Sequence, residues 1–350
     1  MIIRKGIGLI GNKGSTSNDK SYTLLWKMIQ VNMNNKKNMQ EKIDHEDPLQ
    51  GIQKPTHPIK AVVMDMDGTL LDEHNRITPN TQAKLIELQE KGVQLILASG
   101  RSYTRLLPYA DQLNMKEHHG YLLEIDGVAL YDLALDQRTK YHMMSLVEIQ
   151  EIFDYLTTKS AETQAMFDDG LFGYIAPELM EKKIALRKTM NVDEDFPWTA
   201  GPWSWLCDFR DGYPNIHYIK SAKEITLPIN KLQIMQEEQP LALLFQDLQQ
   251  KFGDQFSIYR TTPRQLEVLP KGFSKGSGVL ALMEKEGWKK DEVVVFGDGE
   301  NDCSMFEVVE YSFAMGNAKQ YVQNKARYVT KSNRQEGVIY ALQALGLLSN

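Results

Sequence analysis

Asp65 and Asp67, in Asp65-Met66-Asp67-Gly68-Thr69-Leu70, are two carboxylates two residues apart, behind the apolar run Ile59 to Met64. The run reads as a short buried strand, and Gly68 as the turn that follows it. Two such charges about 4 Å apart repel by roughly 4 kcal/mol at an effective dielectric of about 20. A packed core gains nothing from that, so a cation belongs between them. Mg²⁺, which takes carboxylate oxygens, suits the place. The plain alternative is an Asp-Gly turn with solvated carboxylates.

Three later segments have the same character. Leu95-Ile96-Leu97-Ala98-Ser99-Gly100-Arg101 is an apolar strand ending in a small hydroxyl and a glycine. Ser99 and the free backbone N–H groups beside Gly100 suit a phosphate oxygen, although Ser99 alone reads as a simple helix N-cap. Pro270-Lys271-Gly272-Phe273-Ser274-Lys275-Gly276 precedes the helical run Val279 to Glu286. Lys271 and Lys275 could each neutralise an anion there, and each alone could be an ordinary surface lysine. Val293-Val294-Val295-Phe296-Gly297-Asp298-Gly299-Glu300-Asn301-Asp302 is a third strand running into acids. Asp298, Asn301 and Asp302 offer the oxygen donors of a hard cation. Helix capping explains Asn301 or Asp302 singly but not the whole block.

Stepping strand to helix positions these loops. Ile59–Met64, Gln94–Ala98, Val293–Phe296, Tyr311–Met315 and Tyr328–Thr330 read as strands, alternating with helices at Thr78–Lys91, near Thr104–Leu113, and at Gly337–Leu348. That alternation predicts an α/β fold with a doubly wound, Rossmann-like parallel sheet. Ligands of such sheets bind beyond the carboxyl ends of the strands, where all the polar loops would meet.

In this order and with these residues the chain resembles the haloacid dehalogenase-like (HAD-like) hydrolases, and among them the Cof-like phosphatases of type IIB. Asp65–Leu70, Ser99-Gly100-Arg101, Lys275-Gly276 and Gly297–Asp302 match the four family motifs. Thr262-Pro263-Arg264, Leu266-Glu267-Val268, Phe313–Ala318 and Glu336-Gly337-Val338 extend the likeness, which runs from about Ile59 to Leu348. The resemblance implies Asp65 as a nucleophile that forms an aspartyl-phosphate and Asp67 as the acid and then the base. It implies Mg²⁺ held by Asp65, Asp67 (through its backbone carbonyl) and Asp298, with Asp302 in support. Ser99, Gly100, Lys275 and Asn301 would bind or order the phosphoryl group. One departure stands out: Asp126-Gly127 replaces the usual Asn-Gly after the third strand. Asp serves the same turn but adds a negative charge near the substrate entrance.

The resemblance also divides the chain. Residues 59–139 and 271–350 would form the core, and 140–270 an inserted α/β cap that closes over the site and sets specificity. Within the insert, Leu146–Thr157 and Leu241–Phe252 read as helices, Ala165–Ile175 as a hairpin around Asp168-Asp169-Gly170, and Phe256–Arg260 with Gln265–Leu269 as paired strands. Trp198, Trp203 and Trp205 fit the packing of a small second core, or an aromatic platform for a flat leaving group. His118-His119 reads as a solvated loop.

Length and composition bound the rest. At 350 residues the chain accommodates two domains, and a net charge of −6 argues against general nucleic-acid binding. Cys207 and Cys303 suggest no disulfide framework. No apolar segment approaches a membrane span, which excludes a pump built on the same phosphorylation motif. Met1–Lys5 lacks the apolar core and cleavage pattern of an export signal, so the expected compartment is the cytoplasm. The extension, residues 1–58, carries nine Lys/Arg against five Asp/Glu and reads as disordered, with a short helix at Tyr22–Val31 as the alternative. The expected activity is a Mg²⁺-dependent phosphatase of a small phosphorylated metabolite, a sugar phosphate first, flavin mononucleotide or pyridoxal phosphate behind it, acting as monomer or homodimer. A phosphotransferase or mutase sharing the intermediate is the rival, and a catalytically idle metabolite-binding regulator is another.

Overall fold

The computed structural model describes residues 47–349. The chain divides into Met1–Gln50 and Gly51–Asn350, and the site lies wholly in the second unit. The helix considered at Tyr22–Val31, with most of the extension, lies outside the described residues.

The central sheet begins with β1 (Ala61–Asp65), β2 (Gln94–Ala98), β3 (Tyr121–Glu124), β4 (Ala129–Asp132) and β5 (Gln137–Lys140). After a long insertion the chain returns to it with β12 (Val293–Gly297), β13 (Tyr311–Ala314) and β14 (Tyr328–Val329). The strand order is β14-β13-β12-β1-β2-β3-β4-β5. β1 is flanked in parallel by β12 and β2, and the far edge turns antiparallel at β4 and β5. Every residue of β1 is buried. Unbroken apolar sequence is what a parallel strand covered on both faces requires.

Helices α1 (Pro79–Glu90), α2 (Leu107–Gln112), α6 (Lys275–Glu286), α7 (Cys303–Phe306), α8 (Gln320–Gln323) and α9 (Gly337–Ala344) belong to this part of the chain. Thr78 caps α1, its side chain accepting from Thr81 N with Pro79 in the first turn. Val279, Leu282 and Met283 of α6 pack on Val63, Ile96, Val293 and Val295. The expected helix Gly337–Leu348 is shorter than its apolar pattern. It stops at Ala344 because Gly346, at φ 80°, turns the chain left-handed.

The insertion builds a second sheet from β6 (Glu162–Phe167), β7 (Gly170–Ile175), β8 (Asn215–Tyr218), β9 (Lys231–Met235), β10 (Phe256–Thr262) and β11 (Gln265–Pro270), in the order β10-β11-β9-β6-β7-β8. Its helices are α3 (Leu146–Thr157), α4 (Pro177–Arg187) and α5 (Glu238–Phe252). Ala165, Leu232, Ile234, Leu266 and Val268 bury one face against Ile152 and Phe153 of α3 and Leu241 and Leu248 of α5. Alternation then sends Gln164, Gln233 and Glu267, which are in register across β6, β9 and β11, to the opposite face.

The tryptophans do not form the expected second core. Trp205 donates its indole N–H to Glu237 Oε1 at 2.8 Å and lies under the Arg264 guanidinium, 4.6 Å from the ring centre. Trp198 lies under Arg187, and Trp203 is 72% exposed. The rings of Trp198 and Trp205 meet cations, an arrangement that local sequence does not announce.

Candidate active site

β1 delivers Asp65 to the carboxyl end of the sheet, and the chain then leaves through an irregular turn over Met66–Leu70. Gly68 sits there at φ 83°, and a Cβ on it would lie 2.4 Å from Asp298 Oδ2. Only glycine lets the turn pass so close to the neighbouring carboxylate. Thr69 Oγ1 donates to Asp298 Oδ1 at 3.2 Å. Asn317 Nδ2 reaches both the Gly68 carbonyl, at 2.8 Å, and Asp298 Oδ2, at 3.3 Å.

Asp65, Asp298 and Asp302 can bring one oxygen each within 4.8 Å of one another. Lys275, the first residue of α6, fills one side of this group. Its ammonium donates to Asp65 Oδ1 and to Asp302 Oδ1, each at 2.6 Å. Ser274 fixes the start of α6, its side chain accepting from Ser277 N while Ser277 Oγ accepts from Ser274 N. The second oxygen of Asp302 accepts from the backbone N–H groups of Asp298 and Gly299, both at 2.9 Å.

Three carboxylates against one ammonium leave the cluster short of positive charge. Burial, then the Asp302 charge, hold the Asp65 carboxyl well above the ordinary range despite Lys275. Burial and Asp302 push Asp298 up to about 7. Lys275 shows the complement: burial opposes its charge, yet Asp302 and Asp65 outweigh that and hold its proton firmly. An all-oxygen donor set with an uncompensated charge fits a hard divalent cation such as Mg²⁺.

The other expected site residues are placed less uniformly. Ser99 is buried at the end of β2, its Oγ accepting from Arg101 N at 3.2 Å. The carbonyl of Gly100 accepts from Lys231, a residue of the inserted sheet, at 2.6 Å. Asn301 turns its amide to Asp126 Oδ1, at 2.9 Å. The Asp67 side chain is 57% exposed and stands apart from the three clustered carboxylates, paired through both oxygens with the Arg101 guanidinium. Lys271 is exposed and bonded to the Gly253 carbonyl, away from the cluster. Arg101, Thr69 and Asn317 had no assigned role in the sequence, although each lies inside a stretch that carried the resemblance. Their partners are distant in sequence, which local patterns do not reveal.

A sequence profile of the haloacid dehalogenase-like hydrolases matches residues 62–342. The chain belongs to the haloacid dehalogenase-like hydrolases. This hydrolase is similar to a candidate phosphatase of Streptococcus pyogenes, 26% identical over 295 residues that cover 81% of this chain and 97% of the relative. It is also similar to a 5-amino-6-(5-phospho-D-ribitylamino)uracil phosphatase of Bacillus subtilis, 24% identical, with 82% of this chain and 98% of that protein covered. Among solved structures, a haloacid dehalogenase-like hydrolase of Bacteroides thetaiotaomicron superposes with a TM-score of 0.63 at 25% identity, over 81% of this chain and 98% of that one. A subclass IIB sugar phosphatase shares the fold at a TM-score of 0.62 and 21% identity, covering 83% and 100% of the two chains. Among the described residues, no helix of the hydrolase is long and apolar enough to cross a membrane.

Proposed function

We propose that the protein is a Mg²⁺-dependent phosphomonoesterase of a small phosphorylated metabolite, working through an aspartyl-phosphate. The observation that carries this is Asp65, buried at a strand end, bonded to Lys275 and set against Asp298 and Asp302. Asp65 attacks phosphorus, forming an acyl-phosphate bond as the ester P–O bond breaks. Asp67 gives its proton to the departing oxygen and then takes one from the water that cleaves the acyl-phosphate. For that role Asp67 must turn toward the leaving group from Arg101, which engages both of its oxygens.

Lys275 offsets charge on the phosphoryl oxygens, and Ser99 Oγ with the Gly100 backbone binds them. Asn301 supports that side through Asp126. Asp65, Asp298, Asp302 and the Asp67 carbonyl would hold the ion, which supplies further neutralisation of the phosphate when bound. Residues 140–270 act as the cap, excluding water and reading the leaving group. Phosphorylated sugars and polyols suit the amide-rich inner face of its sheet, and the B. subtilis relative named for a phosphoribitylamino compound supports that class. Flavin mononucleotide and pyridoxal phosphate come second.

The test is phosphate release from an aryl phosphate with Mg²⁺, abolished by EDTA. Asp65→Asn should reduce turnover by roughly 10⁴-fold or more while circular dichroism stays that of the wild type. Turnover retained in that variant would remove Asp65 from the nucleophile's role.

A further inference from the structure

Asp126, which stands where the resemblance leads one to expect Asn, sits in the turn after β3 and faces the inserted sheet. Its side chain, Glu267 of β11 and Lys231 of β9 are each at least nine-tenths buried. Lys231 donates to Glu267 Oε1 at 2.8 Å and to the Gly100 carbonyl at 2.6 Å, and stands 4.0 Å from Asp126 Oδ2. Gln233 and Gln265 add two more donors to the same Glu267 oxygen, at 3.0 and 2.9 Å. Glu267 Oε2 and Asp126 Oδ2 are buried, and no N–H or hydroxyl reaches either. Both crowd the position that a Cβ on Gly100 would take, at 3.3 and 2.9 Å.

Two carboxylates and one ammonium, shut away from water, carry a surplus negative charge. Between two carboxyl groups a hydrogen bond needs a proton, and one proton on this pair both supplies the bond and removes the surplus. We propose that the cap closes with a proton held between Glu267 and Asp126, and that this proton lets Lys231 act as a positioning residue for the Ser99-Gly100 phosphate loop. The proton half stands on the cluster alone; the positioning half rests on the phosphatase reading.

The charged and titratable groups around the pair are Lys231 with Tyr213 beside it, and Lys275 and Tyr259 behind Asp126. Burial, with Asp126 adding to it against Lys231, raises Glu267 from its ordinary 4.5 to about 7. Asp126 itself goes down in spite of burial, held by Lys231 and Lys275. A carboxyl raised in the closed form favours closure at low pH, and that contribution is lost as pH rises through about 7. Asn at position 126 would offer an amide N–H to Glu267 Oε2 and remove the need for the proton.

The test is isotope-edited infrared spectroscopy of the full chain carrying ¹³C-glutamate, titrated from about pH 5 to about pH 9. A protonated carboxyl band should persist to about 7 in the wild type and vanish in Glu267→Gln. In Asp126→Asn it should titrate at least about one unit lower. A Glu267 ionised throughout, or one whose titration ignores Asp126→Asn, overturns the shared proton. Lys231→Met should cut kcat/KM on an aryl phosphate about tenfold, mainly through KM, and an unchanged KM overturns the positioning role. Should that variant fail to fold, Lys231→Met with Glu267→Gln removes the stranded carboxylate and reads the same KM. A wild type inert on phosphate esters defeats the phosphatase reading and leaves the infrared result standing.

Discussion

Asp298 sets stability against chemistry. Burial and the Asp302 charge push it up to about 7, so its ionised form strains the ion-free fold near neutral pH. Asp298→Asn should therefore raise the thermal midpoint in EDTA by about 2–4 °C. Added Mg²⁺ should stabilise the wild type and leave the variant nearly unmoved, since a ligand stabilises only the state that binds it. Scanning calorimetry of both proteins with and without the ion checks this, and equal responses would remove Asp298 from the ion's ligands. The carboxylates of this cluster were legible in the sequence because each lies in a short polar run that follows an apolar strand. Arg101 was legible only as a letter in such a run: its ion pair with Asp67 spans 34 positions. Lys231 was hidden for another reason. It lies on a strand whose polar alternation looks like a solvated face, whereas the fold turns that face inward.

The start of α6 decides where Lys275 stands. Gly276 approaches α7 so closely that a Cβ would lie 2.2 Å from the Ser304 carbonyl oxygen, and Gly276 N donates to Ser304 Oγ at 3.0 Å. On the other side Gly127, at φ 93°, comes as near to the Ser274 carbonyl, a Cβ there falling 2.3 Å away. The helix is clamped between two backbones. Gly276→Ala should cost about 1–3 kcal/mol in urea unfolding and lower turnover through displacement of Lys275. A variant equally stable and active would show that the helix start yields freely. Helices α1 and α3 and the paired strands β10 and β11 were readable from capping residues and period. The close approaches of Gly276 to Ser304 and of Gly127 to Ser274 were not, because each joins segments far apart in the chain.

Across the molecule, the core and the insertion meet through charged and polar side chains beside a small apolar cluster, in which Leu269 of β11 and Tyr259 of β10 pack with Ile125, Val128 and Ala129. Arg138 of β5 grips both oxygens of Glu124, at 2.9 and 2.8 Å, and both of Asp168 in the inserted hairpin, at 2.7 and 2.9 Å. Ser102 Oγ donates to the Asp168 carbonyl at 2.5 Å, and Thr104 Oγ1 to that of Gly212 at 3.1 Å. Arg138→Gln strands a Glu124 whose side chain has no exposure. It should cost about 3–5 kcal/mol in urea unfolding and speed tryptic cutting in the insertion before the core. Loss of stability below about 1 kcal/mol would mean that the junction carries little of the fold's free energy. The sequence made two layers legible from strand–helix alternation and its interruption. The junction between them was illegible, because Asp168 reads only as part of a hairpin turn and nothing near Arg138 in sequence points to it.

That junction also limits exchange between relatives. The insertion leaves the core after β5 and returns at α6, two connections that a recombined gene could easily splice. A transplanted insertion must supply a well-placed carbonyl and carboxylate to answer Ser102 and Arg138, and a lysine for Gly100. Shuffled chimaeras of this protein should work only when Asp168 and Lys231 travel together with the foreign segment.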